Sequence, residues 1–133
     1  MKKLLCLFIV LIRISTAGVS AQPDNPKGVY KSVDDEVSLE IHRGSGDVKL
    51  IMEIKDLKQY HHIIVERSAE TPEYFGKCKY IDVASLKTTD GKLSEADKYP
   101  YSATKNVYYR IKTITNDGIE RAYPAVLLPA IIE

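Results

Sequence analysis

Tryptophan is absent from this chain, and phenylalanine and cysteine occur only twice each. One of the two cysteines, Cys6, sits in the first apolar run. The rest of the chain therefore has no second thiol with which Cys78 could form the internal disulfide that staples many small exported domains. An excess of charge of one sign is missing as well, since 19 Lys and Arg face 18 Asp and Glu across 133 residues. Nucleic-acid binding rests on clustered positive charge that neutralises phosphates, so this balance argues against it. The sequence also lacks a G-x-S-x-G elbow, a P-loop, a C-x-x-C pair and an H-E-x-x-H pair. These absences predict a chain that is not an enzyme, with no catalytic residue, no cofactor and no metal site.

What is present begins with an address. Lys2 and Lys3 precede the run from Leu4 to Ile12, and a stretch ending Val19-Ser20-Ala21 follows, the three parts of a secretory signal peptide over residues 1–21. Arg13 ends the run well short of the about 20 apolar residues that a bilayer core requires. Cleavage is expected between Ala21 and Gln22, leaving no stable transmembrane segment and sending the protein to the periplasm or the cell exterior. Cleavage would remove Cys6 and three cations, for a net charge of −2. The lone Cys78 reads as a buried small hydrophobe rather than a partner in intermolecular pairing. The remaining chain of about 112 residues can bury roughly two thirds of its unfolded surface without a staple.

Residues 22–36 are Pro-, Asp-, Asn- and Lys-rich and read as a flexible N-terminal segment. From Val37 the pattern changes to alternation: Val37, Leu39 and Ile41, then Val48, Leu50, Met52 and Ile54, with Gly44-Ser45-Gly46 turning between the two strands. A third strand covers residues 61–68. A fourth, about 75–83, alternates imperfectly and suggests a β-bulge. A short strand at 92–97 follows Asp90-Gly91. The strand at 107–115 is joined to a last one at about 119–128 by Asn116-Asp117-Gly118. About seven short strands separated by turn residues predict an all-β, antiparallel two-sheet sandwich over 37–128, with a tail at 129–133.

The words Val65-Glu66-Arg67-Ser68, Phe75, Tyr108-Tyr109-Arg110-Ile111-Lys112, Asp117-Gly118 and Tyr123-Pro124-Ala125-Val126 occur in an order and spacing that resemble the fibronectin type III-like (immunoglobulin-like) domains of secreted Bacteroidota proteins. The resemblance covers about 37–128. It implies the sandwich and a place as a spacer or binding module.

Strand phase places Leu39, Leu50, Met52, Ile63, Val65, Tyr109 and Ile111 in the core, because the opposite phase would bury Arg110 and Lys112. Tyr109 is assigned to a corner, bonding back to backbone. His62, Ile64, Glu66, Tyr108, Arg110 and Lys112 then share the outer face of two adjacent strands, with Glu66 positioned to pair with Arg110 or Lys112. An exposed Ile and Tyr beside Arg is the residue mix enriched at interface centres, which makes this face the candidate partner-binding patch. His61 and His62 are sequence neighbours in a strand, so they are expected on opposite faces and unable to share a metal. Asp34-Asp35-Glu36 lacks the alternating ligands and Gly of a calcium loop and reads as a solvated acidic patch.

The resulting expectation is an exported β-sandwich module that binds an envelope or surface protein or a glycan, or has a structural role. Two other readings stand beside it: an assembly subunit that forms weak homo-oligomers by strand addition through 125–132 or Val29-Tyr30, and a small hydrolase or enzyme inhibitor.

Overall fold

The structure, a computed structural model, describes residues 19–20, 29–32, 34–87, 90–98 and 104–131. The charged and apolar parts of the leader, and the cleavage junction between Ala21 and Gln22, lie outside the described residues. The strands in chain order are β1 (Val19–Ser20), β2 (Val29–Ser32), β3 (Val37–Arg43), β4 (Val48–Ile54), β5 (Tyr60–Ala69), β6 (Gly76–Asp82), β7 (Lys92–Asp97), β8 (Val107–Thr115), β9 (Glu120–Ala122) and β10 (Ala125–Leu128).

They form two sheets. One has the order β2-β3-β4-β7, the other β1-β10-β8-β5-β6, with β9 also on β8. Every pairing is antiparallel except that of β1 with β10. From β2 the chain builds the three-stranded meander β2-β3-β4 in the first sheet and the hairpin β5-β6 in the second, returns with β7 to the first, and closes with β8 to β10 in the second.

The core is the inward phase of both sheets. Leu39, Ile41, Leu50 and Met52 from the first meet Ile63, Val65, Tyr109 and Ile111 from the second, all at 2% exposure or less. Every residue placed in the core from strand phase is there. Each such side chain contributes about 1.5–3 kcal/mol on burial, which makes the registers hard to slip.

Where one last strand is expected over 119–128, the structure has two. Pro124 has no N–H to give the ladder, so the strand breaks there. Tyr123 N donates to Ile111 O at 2.9 Å, which bridges the gap. Val29–Ser32, in the segment expected to be flexible, pairs with β3 from Val29↔His42 to Ser32↔Leu39. Two residues of the predicted leader, Val19 and Ser20, run beside Ala125 and Val126. No helix among the described residues is long and apolar enough to cross a membrane.

At Gly91 the backbone must be glycine for two reasons. Its φ is +81°, and a Cβ there would lie 2.1 Å from the carbonyl oxygen of Ile54, whose N–H donates to Gly91 O at 2.8 Å.

Candidate functional site

Two β-bulges set what the outer face of the second sheet presents. On β6, Lys79 opposes Val65 but Lys77 opposes Glu66, so Cys78 is the extra residue. The bulge expected from the irregular fourth strand is therefore there, and it places Tyr80 opposite Ile64. On β5, Tyr60 opposes Thr115 and His62 opposes Ile114, so His61 is extra.

All six residues of the predicted patch lie on this sheet. Glu66 opposes Arg110 and Ile64 opposes Lys112. The expected cross-strand pair forms, with Arg110 Nε donating to Glu66 Oε1 at 2.8 Å. Lys112 instead reaches Glu120 on β9 at 3.3 Å. The guanidinium of Arg110 lies 4.0 Å from the ring centre of Phe75, and Lys77 lies 4.6 Å from that of Tyr80. Phe75, Lys77 and Tyr80 thus join the face. Sequence phase missed Tyr80 because the bulge position was not known.

One patch residue needs correction: Ile64 was expected to be exposed and is 5% exposed. In register it lies between Tyr80 and Lys112, whose ring and aliphatic stem are long enough to cover it. Tyr80, half exposed, is the apolar surface offered in its place.

The histidine expectation is also corrected. The bulge suspends strand alternation at residue 61, and the two rings meet edge to face with centroids 4.1 Å apart. Their Nδ1 atoms are 2.6 Å apart, one donating to the other. The ring of Tyr80 packs on His62 at 4.5 Å.

Inside the sandwich, polar groups clamp the two sheets together. Tyr109 does not bond to backbone at a corner as expected; its hydroxyl donates to Asp97 Oδ2 at 2.8 Å. Arg67 on β5 closes on the same oxygen, so β7 of one sheet is tied to β5 and β8 of the other. Burial pushes the Asp97 carboxyl up, but the hydrogen bonds from Arg67 and Tyr109 outweigh it and hold it below the usual carboxylate range. Cys78, half-buried at its bulge, lies 3.9 Å from Arg67 Nη1. Burial and the negative charge of Asp97 push its thiol up to about 11, against the opposing pull of Arg67. Both effects disfavour the thiolate, which is the nucleophilic form of cysteine.

The outer face of the first sheet is different. An open cleft of about 760 Å³ there is lined by Asp34, Glu36, Glu40, Glu53, Asp56 and Asp90 among others. The acidic run at 34–36 is not merely solvated, because Arg121 reaches Glu36 at 3.3 Å and Asp34 at 3.9 Å. Among the described residues, no three His, Cys, Asp or Glu side chains converge to hold a metal ion.

No family model matches the chain, and no curated protein matches it in sequence. Among solved structures, its fold is similar to pectate lyase PelI from Erwinia chrysanthemi in complex with tetragalacturonic acid, with 16% identity and a TM-score of 0.54, over 69% of this chain and 28% of that one. The chain thus spans under a third of that enzyme's length, and the likeness is one of fold. It overturns the expectation that this chain is not an enzyme: the similar fold occurs within an enzyme, so missing catalytic motifs do not set the chain apart from enzymes.

Proposed function

We propose that this chain is an exported module of the fibronectin type III-like class that binds a glycan or a protein at the bacterial cell envelope. The secretory leader, the resemblance of residues 37–128 and the return of β7 to the first sheet support that class and that location.

One observation carries the binding reading. The outer face of β6, β5 and β8 carries Phe75, Tyr80 and Tyr108 with Lys77, Arg110 and Lys112, Arg110 lying over the ring of Phe75 and Lys77 over that of Tyr80. Rings offer flat apolar area to a sugar or a side chain, and cations fix carboxylates. Polygalacturonate is the first probe, because the solved structure of similar fold holds tetragalacturonic acid. Retention of the protein on immobilised polygalacturonate, or capture of a defined envelope protein, should fall at least about tenfold in Tyr108→Ala/Arg110→Ala, a loss of about 1.4 kcal/mol. Equal retention and equal capture by the double variant would reject the face.

A second reading has its own observation. β1 covers the free edge of β10 with two residues of the predicted leader, so cleavage after Ala21 would uncover an edge able to accept a strand from another copy. Pro129 limits that edge to the length of β10. Size-exclusion chromatography over a range of concentrations checks it: strand addition gives oligomers, and a single monomer peak throughout excludes it.

A further inference from the structure

We propose that residues 70–75, which join β5 to β6, form a raised wall at one end of the binding face, with Tyr74 as the ring that selects a glycan of acidic sugars. The inference rests on the face proposed above and names the class of ligand it takes.

Strand phase shows where this segment lies. Ser68 opposes Tyr108 and shares the outward phase of Glu66 and Arg110, so a bare sheet would leave its side chain in solvent. It is instead 1% exposed. The chain beyond β5 folds back over it: Ser68 Oγ donates to Thr71 O at 2.5 Å and accepts from Tyr74 N at 3.2 Å. The fold-back begins at Glu70, whose φ is +69°, with Thr71 N donating to Ala69 O at 2.8 Å, a γ-turn of the rare, strained hand. Glu70 N donates to Asn106 O at 2.7 Å and holds that turn against the residue before β8. Strain of this kind persists only where neighbouring bonds over-determine the backbone.

What those bonds fix is the placement of two rings. Phe75 lies under Arg110 within the face, and Tyr74 beside it is 81% exposed, the most exposed large apolar side chain among the described residues. A ring on a pinned segment binds with little further ordering, and Tyr has only two side-chain torsions to fix. Arg110 engages Glu66 through Nε, which leaves its terminal N–H groups for a ligand carboxylate. The wall thus stands where rings at Tyr74 and Tyr108 adjoin cations at Arg110 and Lys77. A chain of uronate sugars carries on every unit an apolar ring face for the former and a carboxylate for the latter.

The test is calorimetric titration of the protein with a galacturonate oligomer at low ionic strength. Tyr74→Ala should weaken binding at least about tenfold, Tyr74→Phe should keep wild-type affinity, and neither should change thermal melting. Ser68→Ala keeps the ring but releases its anchor, and should weaken binding while speeding amide exchange at Tyr74. Ile119→Ala, at an exposed apolar residue beyond the far end of β8, should leave affinity unchanged. Wild-type affinity in Tyr74→Ala together with a loss in Tyr108→Ala/Arg110→Ala would overturn the wall and leave the binding face standing. Absence of saturable binding by the wild-type protein, equal affinity for a neutral galactose oligomer, or Tyr74-dependent capture of an envelope protein without binding of the oligomer would overturn the acidic-glycan assignment.

Discussion

Asp97 accepts from Tyr109 and Arg67 while only 4% exposed, so removing its carboxylate takes a charge-assisted hydrogen bond from each of them inside the sandwich. Asp97→Ala should cost about 3–5 kcal/mol in denaturant unfolding, whereas Tyr109→Phe, which loses one hydrogen bond and keeps the ring, should cost about 1 kcal/mol. The folded pKa of Asp97 lies below its unfolded value, so its stabilisation is complete above about pH 4 and is lost as pH falls through the folded pKa. Asp97→Asn should therefore flatten the acid limb of a stability-against-pH curve. Thr113 presents the opposite case, a fully buried hydroxyl with no hydrogen-bond partner among the described residues. Thr113→Val, of the same shape, should stabilise by about 1 kcal/mol, measurable as a raised denaturation midpoint. The inward phase of Tyr109 was legible in the sequence, because the alternative buried two cations. Its partner was not, because Asp97 reaches it from the other sheet and no local spacing records that approach.

The turns and bulges test the elements. Gly91 and Gly118 share a positive φ, yet a Cβ at Gly91 would strike Ile54 O while one at Gly118 would meet nothing within 4 Å. Gly118→Ala should cost about 1 kcal/mol, the backbone penalty alone, and Gly91→Ala distinctly more, because β4 and the turn into β7 must separate; chemical denaturation of the two variants compares them. Alternation made β3, β4 and β8 readable, since one face of β3 and β4 is apolar throughout and that of β8 is broken only by Thr113. It also showed that β6 was irregular. It could not show the bulge at His61, because both phases of His61-His62-Ile63-Ile64 bury an isoleucine, and the pairing with β8 decides between them. β2 was hidden for a similar reason: four residues carry little pattern of their own and become a strand through their register with β3.

At the scale of the molecule, the outer face of the first sheet carries the carboxylate-lined cleft, while the face of the second carries Lys77, Arg110 and Lys112 against Glu66 and Glu120. An anionic chain is repelled from one side and tolerated on the other, so polygalacturonate retention should weaken as salt is raised from low ionic strength toward 0.5 M, where charges are screened over a few ångström. Elution by salt gradient measures this, and salt-independent retention would assign the binding to the rings alone. The order of strands also governs time. Leu39, Ile41, Leu50 and Met52 are brought together by a local hairpin, but Met52 meets Leu93, and Val65 meets Ile111, only after some 40 intervening residues are available. The sheets cannot close until β8 has been made. A chain with such distant pairings folds slowly, and under the export proposed above that slowness would keep the chain narrow enough to thread through a membrane pore.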